Sequence, residues 1–201
     1  MNSTRLLPWF ATNADRLRRR RGPQKSRPTP TRFRPVIERL EDRTLLATLT
    51  VTGSGDTIEV DGLVTLREAI TSANNNADVN ADVVTLEAYG TDTINFNIPG
   101  AGVHTIHVGE TGLGALPTIT ESVIIDGYTQ PGASANTNSV ESMLGVNTVL
   151  RIELDGTSAG EFGDGLRASG GSSTIRGLVI NRFNVNGIRL ASPSNSNVVE
   201  G

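Results

Sequence analysis

Apolar and polar residues alternate along several short segments of this chain, and glycine, asparagine and aspartate separate these segments. The stretch TLTVTGSGDTIEVDG, from residue 48 to 62, alternates in this way and predicts a half-buried strand over 49–60. The abundance of Gly, Asn, Thr and Ser and the small number of aromatic residues favour short strands and tight turns over helical packing. The pattern therefore predicts an all-β body.

One segment has the periodicity of a helix instead. Its apolar positions follow the i, i+3, i+4, i+7 spacing of one helix face: Leu66, Ala69, Ile70 and Ala73. Thr65 and Glu68 have the spacing of a capping box, and asparagines 74–76 suit the end of the helix. These signals predict a short amphipathic helix of about two turns. Arg67 is expected to point to the polar side, and neither Arg67 nor Glu68 is expected to be catalytic.

Two sequence patterns recur at nearly the same distance. Gly165-Leu166-Arg167 returns 22 residues later as Gly187-Ile188-Arg189, and Gly177 aligns with Gly201 at a spacing of 24. Such offsets predict a solenoid whose coils of roughly 20–25 residues stack at about 4.8 Å. In this register five aliphatic side chains point inward: Leu166, Ile175, Leu178, Ile180 and Ile188. Three arginines point outward: Arg167, Arg176 and Arg189.

Charge divides the chain into a basic head and an acidic body. Residues 1–43 hold 12 basic and 4 acidic groups, whereas the other 158 residues hold 6 basic and 17 acidic groups. The body offers no basic face or aromatic platform that would extend a nucleic-acid contact, so we expect no nucleic-acid partner. The head is interpreted as a mostly disordered targeting or processed segment. No run approaches 18 apolar residues, which predicts no transmembrane helix, and the chain has no cysteine for a disulfide or a thiolate metal site.

The end of the basic head carries a recognisable motif. LEDRTLLA, residues 40–47, resembles the LEPR-XLL motif near the start of large planctomycete surface proteins, although Asp42 stands where the family has proline. The matching residues are Leu40, Glu41, Arg43, Leu45 and Leu46. The resemblance implies export to an extracellular or cell-surface location, with a junction near Ala47 between leader and body.

The helical segment belongs to a second resemblance, which runs from about Thr50 to Gly201. DGLVTLREAITSAN, with the later blocks DTINFNIPGAGVHTI and LPTITESVIIDGYTQPGA, is similar to the CSLREA-type region that opens many bacterial right-handed parallel β-helix proteins. Val64 replaces the cysteine that names the family, and five residues fit the motif: Leu66, Arg67, Glu68, Ala69 and Ile70. The resemblance implies a right-handed parallel β-helix whose first coil is capped by a strand and a short amphipathic helix.

These observations divide the chain into three parts. Residues 1–47 form the leader, residues 48–118 the N-terminal cap with the first strands, and residues 119–201 the β-helix coils. The sequence stops in mid-coil at Glu200-Gly201. This is the pattern expected of the front of a longer protein, in which further coils of the same chain would pack on the last coil.

The sequence predicts no catalytic, cofactor-binding or metal-binding residue. His104 and His107 are three apart on a strand and face opposite sides, so they do not chelate one ion, and His104 is expected to be partly buried. The residue types of a pectate-lyase-like site occur near one another, but no ladder of carboxylates is apparent: Arg151, Asp155, Glu161, Asp164 and Arg167. Structural calcium in a turn stays open, although no Gly-Gly-x-Gly-x-Asp repeat supports it.

The favoured function is therefore a non-catalytic, secreted or cell-surface β-helix module with an adhesion or structural role. Its expected partners are extracellular glycans or components of the cell envelope. The alternative is the N-terminal part of a polysaccharide-degrading enzyme whose active site lies beyond residue 201.

Overall fold

The computed structural model describes residues 46–191 and 196–201, and this part of the chain is mostly β-structure with one α-helix. The strands and the helix are, in chain order, β1 (Leu46–Val51), α1 (Leu66–Asn75), β2 (Ala88–Phe96), β3 (His104–His107), β4 (Val123–Asp126), β5 (Ile152–Asp155), β6 (Leu166–Ala168), β7 (Thr174–Arg176), β8 (Leu178–Asn181), β9 (Ile188–Leu190) and β10 (Val198–Glu200). Short 3-10 turns at Gly127–Thr129 and Val140–Ser142 lie between β4 and β5.

The strands form three parallel sheets. The five-stranded sheet has the order β1-β2-β4-β7-β10, the three-stranded sheet the order β3-β5-β8, and the two-stranded sheet pairs β6 with β9. From β4 onward the chain visits the five-, three- and two-stranded sheets in turn and then repeats the cycle. Buried aliphatic side chains from all three sheets form one core cluster with the apolar face of α1.

The register predicted from the repeated glycines is confirmed. Arg167 pairs with Arg189, and Arg176 pairs with Glu200, at the expected offsets of 22 and 24 residues. Leu166 and Ile175 are buried, and the other three predicted inward side chains are partly buried against the core. The Arg176 guanidinium also donates to Asp126 on its other neighbouring strand at 2.6 Å.

The predicted strand over 49–60 is wrong at both of its ends. β1 begins at Leu46, so the predicted junction at Ala47 falls inside the strand, where Ala47 is fully buried. Residues 52–60 form no strand. The alternating pattern continues beyond Val51, but the amides of Thr52 and Gly53 both donate to the carbonyl of Val64, which turns the chain out of the sheet.

The predicted capping box is confirmed at the start of α1. The Thr65 hydroxyl accepts from the Glu68 amide at 3.2 Å, and the Glu68 carboxylate accepts from the Thr65 amide at 2.8 Å. Asn76 ends the helix in the left-handed conformation, with φ of 51°. The helix has ten residues, so it is somewhat longer than the two turns expected.

The expectation that Arg67 faces the polar side is wrong. Its side chain is buried, with 5% of the residue exposed, and its guanidinium donates to both carboxylate oxygens of Asp56 at 2.7 and 2.8 Å. Two further N–H groups donate to the carbonyls of Gly114 and Ala115 at 2.8 and 3.0 Å. Asp56 also accepts from the Gly109 amide at 2.6 Å. A buried arginine is tolerated here because its charge and its donors are matched within the protein.

Glu68 extends the same buried network on the other side of the helix start. It is fully buried, and its second carboxylate oxygen accepts from the Glu59 amide at 2.9 Å and from the Asn80 side chain at 2.6 Å. The first turn of α1 thus makes hydrogen bonds both to the segment before the helix, at Glu59, and to the segment after it, at Asn80.

Replacing Arg67 with methionine should destabilise the protein by about 3–5 kcal/mol, because it leaves the Asp56 carboxylate buried without its cation. Urea unfolding followed by circular dichroism measures this change. Asn75→Asp, at an exposed position at the end of α1, is the control and should shift stability by less than about 0.5 kcal/mol. Equal effects of the two substitutions would show that the Arg67–Asp56 pair does not hold the helix.

Candidate functional site

A group of interacting polar side chains lies on the three-stranded sheet. Strand register places Thr105 beside Glu153, and places His107, Asp155 and Asn181 in one row across β3, β5 and β8. Arg182 follows directly after β8. We call these six residues the β5 polar cluster: Thr105, His107, Glu153, Asp155, Asn181 and Arg182.

Glu153 is held by a donor on each neighbouring strand. One carboxylate oxygen accepts from the Thr105 hydroxyl at 2.7 Å, and the other accepts from the Asn181 amide group at 2.7 Å. A guanidinium nitrogen of Arg182 lies 3.6 Å from Glu153. The hydrogen bond from Asn181, with that from Thr105, lowers the pKa of Glu153, so this carboxylate is ionised at neutral pH.

Asp155 ends β5 and starts a tight turn through Gly156. One carboxylate oxygen accepts from both the hydroxyl and the amide of Thr157, at 2.5 and 2.9 Å, which is the local bonding expected of aspartate in such a turn. The other oxygen accepts from Arg182 at 2.5 Å. The Thr157 hydrogen bonds, and then Arg182, lower the pKa of Asp155 from 3.8 to about 2.

Arg182 and His107 form the accessible side of the cluster. Their side chains are 58% and 52% exposed, and His107 Nδ1 lies 3.7 Å from the Asp155 carboxylate. Arg182 adopts left-handed backbone with φ of 58°, which is uncommon for a residue other than glycine. Its guanidinium contacts both carboxylates from this position.

The β5 polar cluster presents hydrogen-bonding groups and no carboxyl group that could act as a general acid near neutral pH. Both carboxylates are ionised and already accept hydrogen bonds, so neither is poised as a general acid near neutral pH. The exposed guanidinium and imidazole present donors next to fixed anionic acceptors. This combination of donors and acceptors matches a polyhydroxylated ligand.

The described residues contain no group of three or more His, Asp or Glu side chains placed to hold a metal ion. The structure therefore adds nothing in favour of structural calcium in a turn, which stays a prediction.

Of the residues singled out by the two sequence motifs, those of the helix motif are buried, Leu46 is exposed, and the others lie outside the described ranges. Thr65 and the following residues through Ile70 are all buried at the start of α1, where they serve the fold. Leu46 opens β1. Four residues of the leader motif fall outside the described part of the chain: Leu40, Glu41, Arg43 and Leu45.

The remaining candidate residues are only partly brought together. Asp164 lies 3.6 Å from Arg189, whereas Glu161 is exposed. His104 is partly buried as predicted, and His107 joins the β5 polar cluster. Sequence reasoning missed this cluster because Thr105 and Glu153 meet across 48 residues, and no repeated motif marks that pairing.

Comparison of the chain with protein-family models, with curated proteins and with solved structures found no match. Among residues 46–191 and 196–201, no helix combines the length and the apolar character needed to cross a membrane.

Asp155→Asn should cost about 1–2 kcal/mol of stability at pH 7, because the neutral amide loses charge-assisted hydrogen bonds from Thr157 and Arg182. The pKa of Asp155 is lowered in the folded state, so its stabilisation is present above its ordinary pKa of 3.8 and is lost as the pH falls through about 2. The difference in unfolding free energy between wild type and variant should therefore close over this range.

Thermal unfolding of both proteins between neutral and strongly acidic pH measures this difference, with the exposed Glu161→Gln as control. A gap that stays constant down to about pH 2 would show that the Asp155 carboxylate charge does not cause the stabilisation.

Proposed function

We propose that the chain folds as a right-handed parallel β-helix, the architecture implied by the CSLREA-type resemblance. Paired residues near the C-terminal end of the chain are separated by nearly constant distances in sequence: 22 for Leu166 and Ile188, 24 for Thr174 and Val198, and 26 for Ile152 and Leu178. A constant offset of this size is the length of one solenoid coil. The repeated visits to three sheets in a fixed order support the same architecture.

The coil from β4 to β7 in this proposal is longer than the coils that follow it because it contains an additional loop. Paired residues of β3 and β5 are 48 positions apart, and those of β4 and β7 are 50 apart. The extra length includes residues 134–149, whose ends are joined by an antiparallel bridge between Ser134 and Val149. The strands on either side keep their parallel register despite this loop.

We propose that the protein is a secreted or cell-surface module with an adhesion or structural role. The observation that carries this proposal is the continuous parallel pairing of three sheets around one apolar core, because such an assembly is stiff and displays its outer side chains at fixed spacing. The β5 polar cluster would supply hydrogen-bonding groups toward extracellular glycans or cell-envelope components. The LEPR-XLL-like motif supports the location.

The enzyme alternative places the active site beyond residue 201. An enzyme site within the described residues would instead draw on the β5 polar cluster, since Glu153, Asp155 and Arg182 are the residue types of polysaccharide-degrading sites. The lowered pKa values of both carboxylates and their hydrogen bonds favour fixed anions over proton donors. The cluster therefore supports the binding role better than catalysis within residues 46–201.

Export can be tested by expressing the full chain with a C-terminal epitope in a planctomycete host. The protein should reach the cell surface. The sequence predicts a mature N-terminus near residue 48. Because Ala47 is buried within β1, we expect the surface protein to begin shortly before Leu46. Replacing Leu40, Arg43 and Leu45 with serine should retain the protein inside the cell. As a control, replacing Leu6 and Leu7 with serine should not. These changes leave Leu46, and with it β1, intact. Mass spectrometry of the surface protein decides the outcome, and an intact Met1 would refute processing.

Adhesion without turnover can be tested by co-sedimenting the full chain with insoluble pectin, cellulose and chitin. We expect binding to at least one of them without release of soluble sugars. Arg182→Ala combined with His107→Ala should weaken that binding by about tenfold, through the loss of two exposed donors. Glu161→Gln is the matched control. Release of product that disappears in Glu153→Gln would instead establish the enzyme.

A further inference from the structure

β1 is the edge strand of the five-stranded sheet in the described part of the chain, and its hydrogen-bonding groups have a defined direction. The Val51 carbonyl accepts from the Asn97 amide at 2.8 Å, so the backbone N–H and C=O groups of Val51 point toward the neighbouring strand β2. The Thr52 amide, one residue later, donates to the Val64 carbonyl at 2.9 Å on the opposite side. Because direction alternates along a strand, the N–H and C=O groups of Thr48 and Thr50 point away from β2.

A cavity of about 260 Å³ lies beside this edge. Thr48 and Thr50 line one side of it, and the other side is formed by residues from two loops: Gly62, Val64, Asp82, Val83 and Val84. No described residue outside β1 bonds to the backbone groups of Thr48 and Thr50 that face the cavity. Just beyond β1 on the same side, the amides of Thr52 and Gly53 are already occupied, since both donate to the Val64 carbonyl.

One carboxylate, that of Asp82, lines the cavity, and the part of the chain that contributes its lining is acidic in sequence. Residues 46–150 contain 12 Asp and Glu residues, and Arg67 is the only Lys or Arg among them. Arg67 is buried against Asp56, so it offers no charge to this surface. Asp82 lines the cavity, and one of its carboxylate oxygens accepts from the amides of Asp61 and Gly62 at 2.6 and 2.8 Å. This acidity favours a cationic partner.

We propose that the cleft beside β1 binds an extended peptide segment rich in lysine or arginine, which adds a strand to the edge of the sheet. The backbone groups of Thr48 and Thr50 supply the hydrogen bonds of the new ladder. Cationic side chains of the peptide face Asp82, and its apolar side chains contact Val83 and Val84. This interaction is separate from the glycan contact proposed for the β5 polar cluster, and it does not depend on that function.

The probe is a synthetic seven-residue peptide of alternating lysine and valine, titrated into the full chain. Fluorescence anisotropy of a dye on the peptide should show saturable binding that weakens with salt. Hydrogen exchange should slow at the amides of Thr48 and Thr50, whereas the Leu49 amide, which faces β2, should be unaffected. Two control peptides, one N-methylated at alternate residues and one with glutamate for lysine, should each bind about tenfold more weakly or worse.

Two variants test the cleft itself. Thr50→Pro removes one donor on the free side without removing a bond to β2, and proline is tolerated at such an edge position. Asp82→Asn removes the charge but keeps a carbonyl oxygen for the amides of Asp61 and Gly62. Each should weaken peptide binding by about tenfold, while Glu141→Gln, which removes one charge from a distant exposed loop, should have no effect.

The proposal is overturned if the lysine–valine peptide does not bind, or if the N-methylated peptide binds equally well. It is also overturned if two results occur together: binding to Asp82→Asn is unchanged, and the amides of Thr48 and Thr50 gain no protection from hydrogen exchange. Binding to Asp82→Asn and hydrogen exchange at Thr48 and Thr50 can both be measured even if Thr50→Pro does not fold.

Discussion

The buried ion pair between Arg67 and Asp56 is the contact on which the first part of the structure depends. An unpaired charge in an apolar interior is costly, so the buried guanidinium needs an anionic partner and hydrogen-bond acceptors within the protein. It does so with the Asp56 carboxylate and with the carbonyls of Gly114 and Ala115, which belong to segments on either side of β2 and β3 in sequence. This requirement fixes the position of α1, and the apolar face of the helix then covers the core next to β1 and β2.

Sequence alone predicted those features whose signals are local or repeated. The helix, its capping box and its asparagine end follow from residue types within one short segment, and the register between Arg167 and Arg189 follows from a pattern written twice. The burial of Arg67 was not predictable in this way, because helical periodicity assigns every polar residue to the exposed face of the helix. Its partner Asp56 lies 11 residues earlier in a segment without regular structure, although the alternating pattern of that segment predicts a strand.

The β5 polar cluster shows the same limit at the scale of the whole fold. Its members come from strands and turns spread from Thr105 to Arg182, and two of its contacts cross 48 and 27 residues. The long loop between β4 and β5 separates the paired residues of β3 and β5 by 48 positions, so the offsets of 22 and 24 residues that predicted the later register give no signal here. The left-handed backbone at Arg182 is also unmarked by a glycine.

The bridge between Ser134 and Val149 has a consequence for how this architecture diversifies. It brings the two ends of the intervening loop together, so the number of residues between them is decoupled from the spacing of the sheets. The entropic penalty of lengthening such a closed loop grows only with the logarithm of its length. Val140 and Met143 already stand almost fully in solvent at 97% and 93% exposure. This segment is therefore where evolution can vary surface chemistry freely while selection on packing continues to constrain the strands.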